Sequence, residues 1–104
     1  MSRKSLLELA TQDPVELNSL VLKSKLAALI RILVRDKKLS QVKVAELLST
    51  SQARVSNLLA GQVGKFSIDF LLTSLFKLGY KADFDYDPTD TEEPLRISVK
   101  KAVL

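Results

Sequence analysis

The side chains with most to offer chemically lie within one short stretch: Gln52, Ala53, Arg54, Ser56 and Asn57. They are small or hydrogen-bonding, with a single cation. An amide can grip adenine through a paired donor and acceptor, a guanidinium can grip guanine, and an alanine methyl can touch the thymine methyl. Such a set suits the edges of base pairs rather than the breaking of bonds. The rest of the chain offers little to a catalyst. It has no His and no Cys, and its carboxylates cluster only in one acidic loop. No acid–base pair, thiol nucleophile or metal-ligand set stands out. The expectation is therefore no enzyme, no catalytic residue, no metal and no cofactor.

These residues need a rigid support, and Leu39 to Gly61 supplies one. LSQVKVAELLSTSQARVSNLLAG reads as two short helices joined by a tight turn. Val44 and Leu48 share a face of the first helix, and Ala45 is small enough to let a second helix cross closely. Val55, Leu58 and Leu59 share a face of the second. Ser40 and Ser51 each precede a helical run, where a hydroxyl accepts an otherwise unpaired backbone N–H. Ser49, Thr50 and Ser51 leave the short turn that a helix-turn-helix requires. Spacing alone also fits an ordinary αα-hairpin with a small, solvated polar face.

Charge distribution adds to the first reading. The formal net charge is +4. Lys23 to Lys65 contains nine Lys or Arg against Asp36 and Glu46, a local net of +7. A basic block around a helix-turn-helix is the footprint expected for phosphate contact. Gln41, Lys43 and Lys65 are the candidates there, beside Ser51 at the start of the second helix. Asp83 to Glu93 carries six acids and no base, and reads as a solvated loop.

On either side lie the supporting elements. Leu22, Leu26, Leu29, Ile30 and Leu33 fall at helical spacing, which predicts a helix from about 23 to 37. Ser67 is an N-cap, with Phe66 placed to staple onto Leu71. Ile68, Leu71, Leu72, Leu75 and Phe76 form its expected buried stripe, and Gly79 ends it. Tyr80, Ala82, Phe84 and Tyr86 then alternate with polar residues, as do Leu95, Ile97 and Val99, a strand signature. A two-stranded ribbon is marginal alone, so these six residues, Ala82, Phe84, Tyr86, Leu95, Ile97 and Val99, are expected to form the contact between two copies. Residues 1–22 are ambiguous. Asp13-Pro14-Val15-Glu16 looks like a helix start. The segment is either extra core or an apolar arm that folds on a partner; the arm is preferred, because the helix-turn-helix core is complete without it. The organisation expected is thus 1–22 arm, 23–79 helix-turn-helix domain and 80–104 strands. No run approaches the ~20 apolar residues of a membrane span, and no signal-peptide pattern opens the chain. A cytoplasmic protein is the expectation.

Residues 39 to 79 resemble the XRE-type helix-turn-helix family, and within it the HigA-type antitoxins of bacterial toxin–antitoxin pairs. The resemblance rests on Gln41 opening the first helix, Ala45 at the crossing, Ser51-Gln52-Ala53-Arg54-Val55-Ser56, and Phe66-Ser67 through Leu78-Gly79. It implies an XRE/Cro-like helix-turn-helix bundle; with the arm and strands read above, the fold expected is mainly α, with a flexible N-terminal arm and a small C-terminal β element. It also implies two activities: binding and silencing a small mRNA-cleaving endoribonuclease toxin, and repression of the chain's own operator as a homodimer. Leu6, Leu7, Leu9, Val15, Leu17 and Leu20 of the arm are the candidates for toxin contact. The alternative is a repressor of the same fold with no toxin partner. One departure matters: where the family usually has Gly at the turn, this chain has Ser49. A non-Gly residue at positive φ costs about 1 kcal/mol, so the turn is expected either to be strained or to take another conformation.

Overall fold

In the computed structural model, which describes residues 13–102, Asp13 starts the first of the described helices. Its carboxylate accepts the Val15 N–H at 2.9 Å, and Pro14 takes the first helical position. Helix α1 then runs Pro14–Asp36 without a break. No Gly or Pro lies inside it after Pro14, so nothing local stops it at the 22/23 boundary expected from sequence. The arm and the helix drawn separately there are one element from residue 14 onward. Burial, however, begins only at Leu26; from Asp13 to Lys25 no residue is buried.

Helices α2 (Gln41–Leu48), α3 (Gln52–Leu59) and α4 (Ile68–Lys77) follow, with a 3-10 turn at Val63–Lys65. Each of the three is capped by a serine. Ser40, Ser51 and Ser67 Oγ accept the backbone N–H of Lys43, Arg54 and Phe70 at 3.1, 3.2 and 3.0 Å. Each of the four described helices ends on a residue with left-handed backbone: Lys38, Ser49, Gly61 and Gly79. After α3, the Gln62 N–H reaches Asn57 O at 3.0 Å and the Gly61 N–H reaches Leu58 O at 3.1 Å. That is a Schellman closure, which turns the chain sharply and satisfies end carbonyls. Leu39 N to Val34 O and Thr50 N to Ala45 O, both 3.0 Å, close α1 and α2 in the same way. Those two closures use Lys38 and Ser49 instead of glycine.

The core lies where α1 packs on α3 and α4, and where α2 crosses α3. Ile30, Val44, Val55, Leu58, Leu71 and Leu75 are its fully buried side chains, joined by the small Ala27 and Ala45. Burial of each larger aliphatic side chain stabilises the fold by about 1.5–3 kcal/mol. The buried row of α4 differs from the expected stripe. Phe76 is 49 % exposed, while Ser74 and Leu78 are buried. The helix is rotated so that Leu71, Leu75 and Leu78 lead inward. Ser74 tolerates burial because its hydroxyl donates to Phe70 O at 2.8 Å, as a buried polar group must.

Strands β1 (Tyr80–Tyr86) and β2 (Leu95–Lys101) pair antiparallel. The register sets Ala82 opposite Val99, Phe84 opposite Ile97 and Tyr86 opposite Leu95. All six apolar side chains therefore share one face of the ribbon. The acidic loop is closed by Arg96, 3.3 Å from both Asp90 and Glu93, and by Asp87 N–H to Pro94 O at 2.7 Å. Asp83 pairs diagonally with Lys100 at 3.8 Å. Of the ribbon's residues from Lys81 to Lys101, none is buried. Among the described residues no helix is long and apolar enough to cross a membrane.

Candidate nucleic-acid interface

Helices α2 and α3 form the expected helix-turn-helix. Ser49 holds φ 53° and ψ 47°, so the turn keeps the left-handed geometry and accepts the strain of a Cβ there. Lys77 Nζ, from α4, lies 3.5 Å from Leu48 O. It adds a cation at the negative end of α2, where the helix dipole favours one.

Val55 and Leu58 turn α3 inward. At about 100° per residue, Ala53 and Asn57 then point away from the core, with Ser56 and Gln52 beside them. Gln52, Ala53, Arg54 and Ser56 are exposed and Asn57 is half-buried. The Ser51 hydroxyl is engaged as the N-cap acceptor. Gln41 is the first residue of α2, and Lys43 stands one turn into it, 3.8 Å from Glu46. The other acid of the basic block, Asp36, lies 3.5 Å from Arg35. Both pairs are more than half exposed and bind weakly, so their cations can exchange carboxylate for phosphate at little cost. Lys65 is exposed in the 3-10 turn that leads to α4. The fold thus brings Gln41, Lys43, Ser51, Gln52, Ala53, Ser56 and Asn57 onto one helix-turn-helix unit, with Lys65 on the loop that follows.

Arg54 behaves differently. It follows the outward Ala53 but stands only about 40° from the buried Leu58 on the helix circumference. Its guanidinium lies over the rings of Phe66 and Phe70, at 4.7 and 5.4 Å from their centroids. The two rings stack at 5.3 Å with 26° between planes. Phe66, expected from sequence only as a staple, thus takes a second role, and Phe70 gains one not expected from sequence. The signal for the pair was the i, i+4 spacing of two aromatics around the Ser67 cap.

The ribbon brings Ala82, Phe84, Tyr86, Leu95, Ile97 and Val99 together. Phe84 and Tyr86 are about 70 % exposed, at 69 and 70 %. With Leu22, Leu29, Leu72 and Phe76 this face borders an open apolar groove. Of the candidates for toxin contact, Leu6, Leu7 and Leu9 lie outside the described residues. Val15, Leu17 and Leu20 fall on the first turns of α1, but not on one face. Val15 is exposed and lies roughly opposite the half-buried Leu17 and Leu20. Val15 instead continues the stripe of Leu22 and Leu29, seven residues apart each time. Among the described residues no group of three or more His, Cys, Asp or Glu could hold a metal ion.

A recognition helix presented on a basic surface, with its partner helix braced behind it, defines a DNA-reading helix-turn-helix protein. The chain belongs to that family: the family model described as a helix-turn-helix domain matches residues 8–85 of the 104. No curated protein and no solved structure matches the chain. The match supports a DNA-binding regulator of transcription. It takes in α1 from its first turn and ends inside β1.

Proposed function

We propose that this chain represses its own operon as a homodimer and also holds a small mRNA-cleaving toxin, the HigA-type arrangement that its sequence resembles. The observation that carries the DNA half is the α3 face: Gln52, Ala53, Ser56 and Asn57 stand together beside a basic loop, on a helix fixed by Val55 and Leu58. Dimerisation is supported by the ribbon, whose apolar face is left open by its own chain. Phe84, Leu95 and Ile97 are all more than half exposed, and a second copy would cover them. Toxin binding is supported by the resemblance and by the apolar side chains that α1 offers before its buried part begins.

Selection of duplexes from a random-sequence pool tests the DNA half. The full chain is expected to enrich two inverted half-sites whose centres lie one helical turn, about 10–10.5 base pairs, or a multiple apart. A single half-site, or no enrichment, would count against it. Co-expression with the product of the adjacent reading frame tests the toxin half. Co-purification with suppression of mRNA cleavage is expected. A soluble, catalytically silent neighbour would leave a repressor with no toxin partner.

A further inference from the structure

We infer that Arg54 is a clamp for the DNA phosphate backbone, held ready by the Phe66–Phe70 ring pair, and not a reader of guanine. The inference rests on the DNA-binding reading of α3. Phe66 is only 3 % exposed, so its ring is part of the protein body. A guanidinium lying 4.7 Å from that ring's centroid is drawn back from the outward line of Ala53 and Asn57, toward the start of α4. The major groove is about 12 Å wide, and a helix with its side chains is about 10–12 Å across. A recognition helix therefore fills the groove. Its outward line meets base edges, and its flanks meet the phosphate walls. Arg54 is on a flank.

The state of its charge points the same way. A ring face attracts a cation but accepts none of its N–H bonds in the guanidinium plane. Among the described residues, no carboxylate forms an ion pair with Arg54. Its N–H edge thus remains free for an acceptor, and a phosphate offers two oxygens to a planar fork. Stacking also limits the freedom that a long side chain must give up on binding. Lys65, next in sequence to Phe66, adds a second cation beside the same start of α4. Phe70 is then a positioning residue: it touches no DNA but fixes the group that does.

Fluorescence anisotropy on the full chain tests this, with two probes: a duplex enriched by the chain from a random pool, and its scramble. Arg54→Ala is expected to weaken both by the same factor, on the order of tenfold, and to flatten the log–log salt slope by about one unit. Phe70→Leu is expected to weaken both by a smaller factor while the slope stays near wild type, because the charge remains. Phe70→Tyr should restore wild-type binding. In the free protein, the Arg54 Nε–H proton should show an upfield ring-current shift that Phe70→Leu reduces, since only the Phe66 ring then remains, and that Phe70→Tyr restores in full. A loss under Arg54→Ala confined to the enriched duplex, with relaxed preference at one base pair, would overturn the clamp and make Arg54 a base reader. An unchanged salt slope under Arg54→Ala, or no ring-current shift, would also overturn it. If wild type binds neither duplex, the DNA-binding reading itself falls, and the clamp with it.

Discussion

Ser49 sits where the chain turns between the two helices, and its backbone bears the cost. Left-handed geometry burdens any residue with a Cβ by about 1–2 kcal/mol, whereas Gly is free of that term but loses more entropy on folding. The balance favours glycine here, because the Ser49 side chain makes none of the capping bonds; those come from Ser40 and Ser51. Ser49→Gly is expected to raise unfolding free energy by about 0.5–1 kcal/mol in urea titration, with DNA affinity unchanged. Ser49→Val should lower it, since β-branched residues fit that region worst. Asp87 follows β1 at the start of the acidic loop. The Thr89 hydroxyl, at 2.6 Å, and the Thr89 N–H, at 3.0 Å, hold its carboxyl below the ordinary carboxylate value. A lowered folded-state pKa contributes stability above the unfolded value of about 3.9, and that contribution disappears as pH falls through the folded one. Thr89→Ala should raise the Asp87 titration midpoint in carboxyl-detected NMR. An unmoved midpoint would remove Thr89 as the cause.

At the scale of elements, the ribbon and α1 are the least self-sufficient parts. The ribbon is tethered to the helices chiefly through Tyr80, whose ring faces Lys37 Nζ at 5.8 Å, and through the Ala102 N–H to Gly79 O bond at 2.9 Å. Two strands alone are marginal. The pairing nevertheless leaves one face apolar and exposed, which a second copy could bury. Phe84→Glu combined with Ile97→Lys places charges on that face, at positions already 69 and 58 % exposed. Light scattering should then report a monomer, while the helical circular dichroism stays as in wild type. A persistent dimer would move the interface onto the helices. For α1, the continuity across residues 22 and 23 means that the N-terminal apolar side chains ride on a helix anchored by Ile30 and Leu33, with Val15 on one side and Leu17 and Leu20 on the other.

The whole molecule separates its charges. The basic block surrounds the helix-turn-helix, and the acids of Asp83 to Glu93 sit on the ribbon and its loop. Attraction to DNA by the first and repulsion by the second orient the approach before any base is read. Lys65, exposed on the loop after α3, is proposed to add charge without contacting a base. Lys65→Ala should weaken enriched and scrambled duplexes alike, and flatten the salt slope by about one unit. Weakening of the enriched duplex alone would place Lys65 at a base edge.

Sequence by itself determined what depends on neighbours a few residues away. The caps at Asp13, Ser40, Ser51 and Ser67 were legible because each is a side chain bonding to an N–H two or three residues on. The stop at Gly79 was legible because only its φ matters. The strand Tyr80–Tyr86 was legible because alternation has a period of two. The residues of the α3 face followed from the helical period of about 3.6, read from Val55, Leu58 and Leu59. Tertiary structure alone decided how each helix is rotated against the others. That rotation buries Ser74 and Leu78 while leaving Phe76 half in solvent. It also brings Phe66 and Phe70, more than ten residues along the chain, under the guanidinium of Arg54. Side-chain direction on a helix flank is set by which neighbour packs there. No local pattern in the chain carries that information, because the contact joins elements whose separation in sequence has no fixed period.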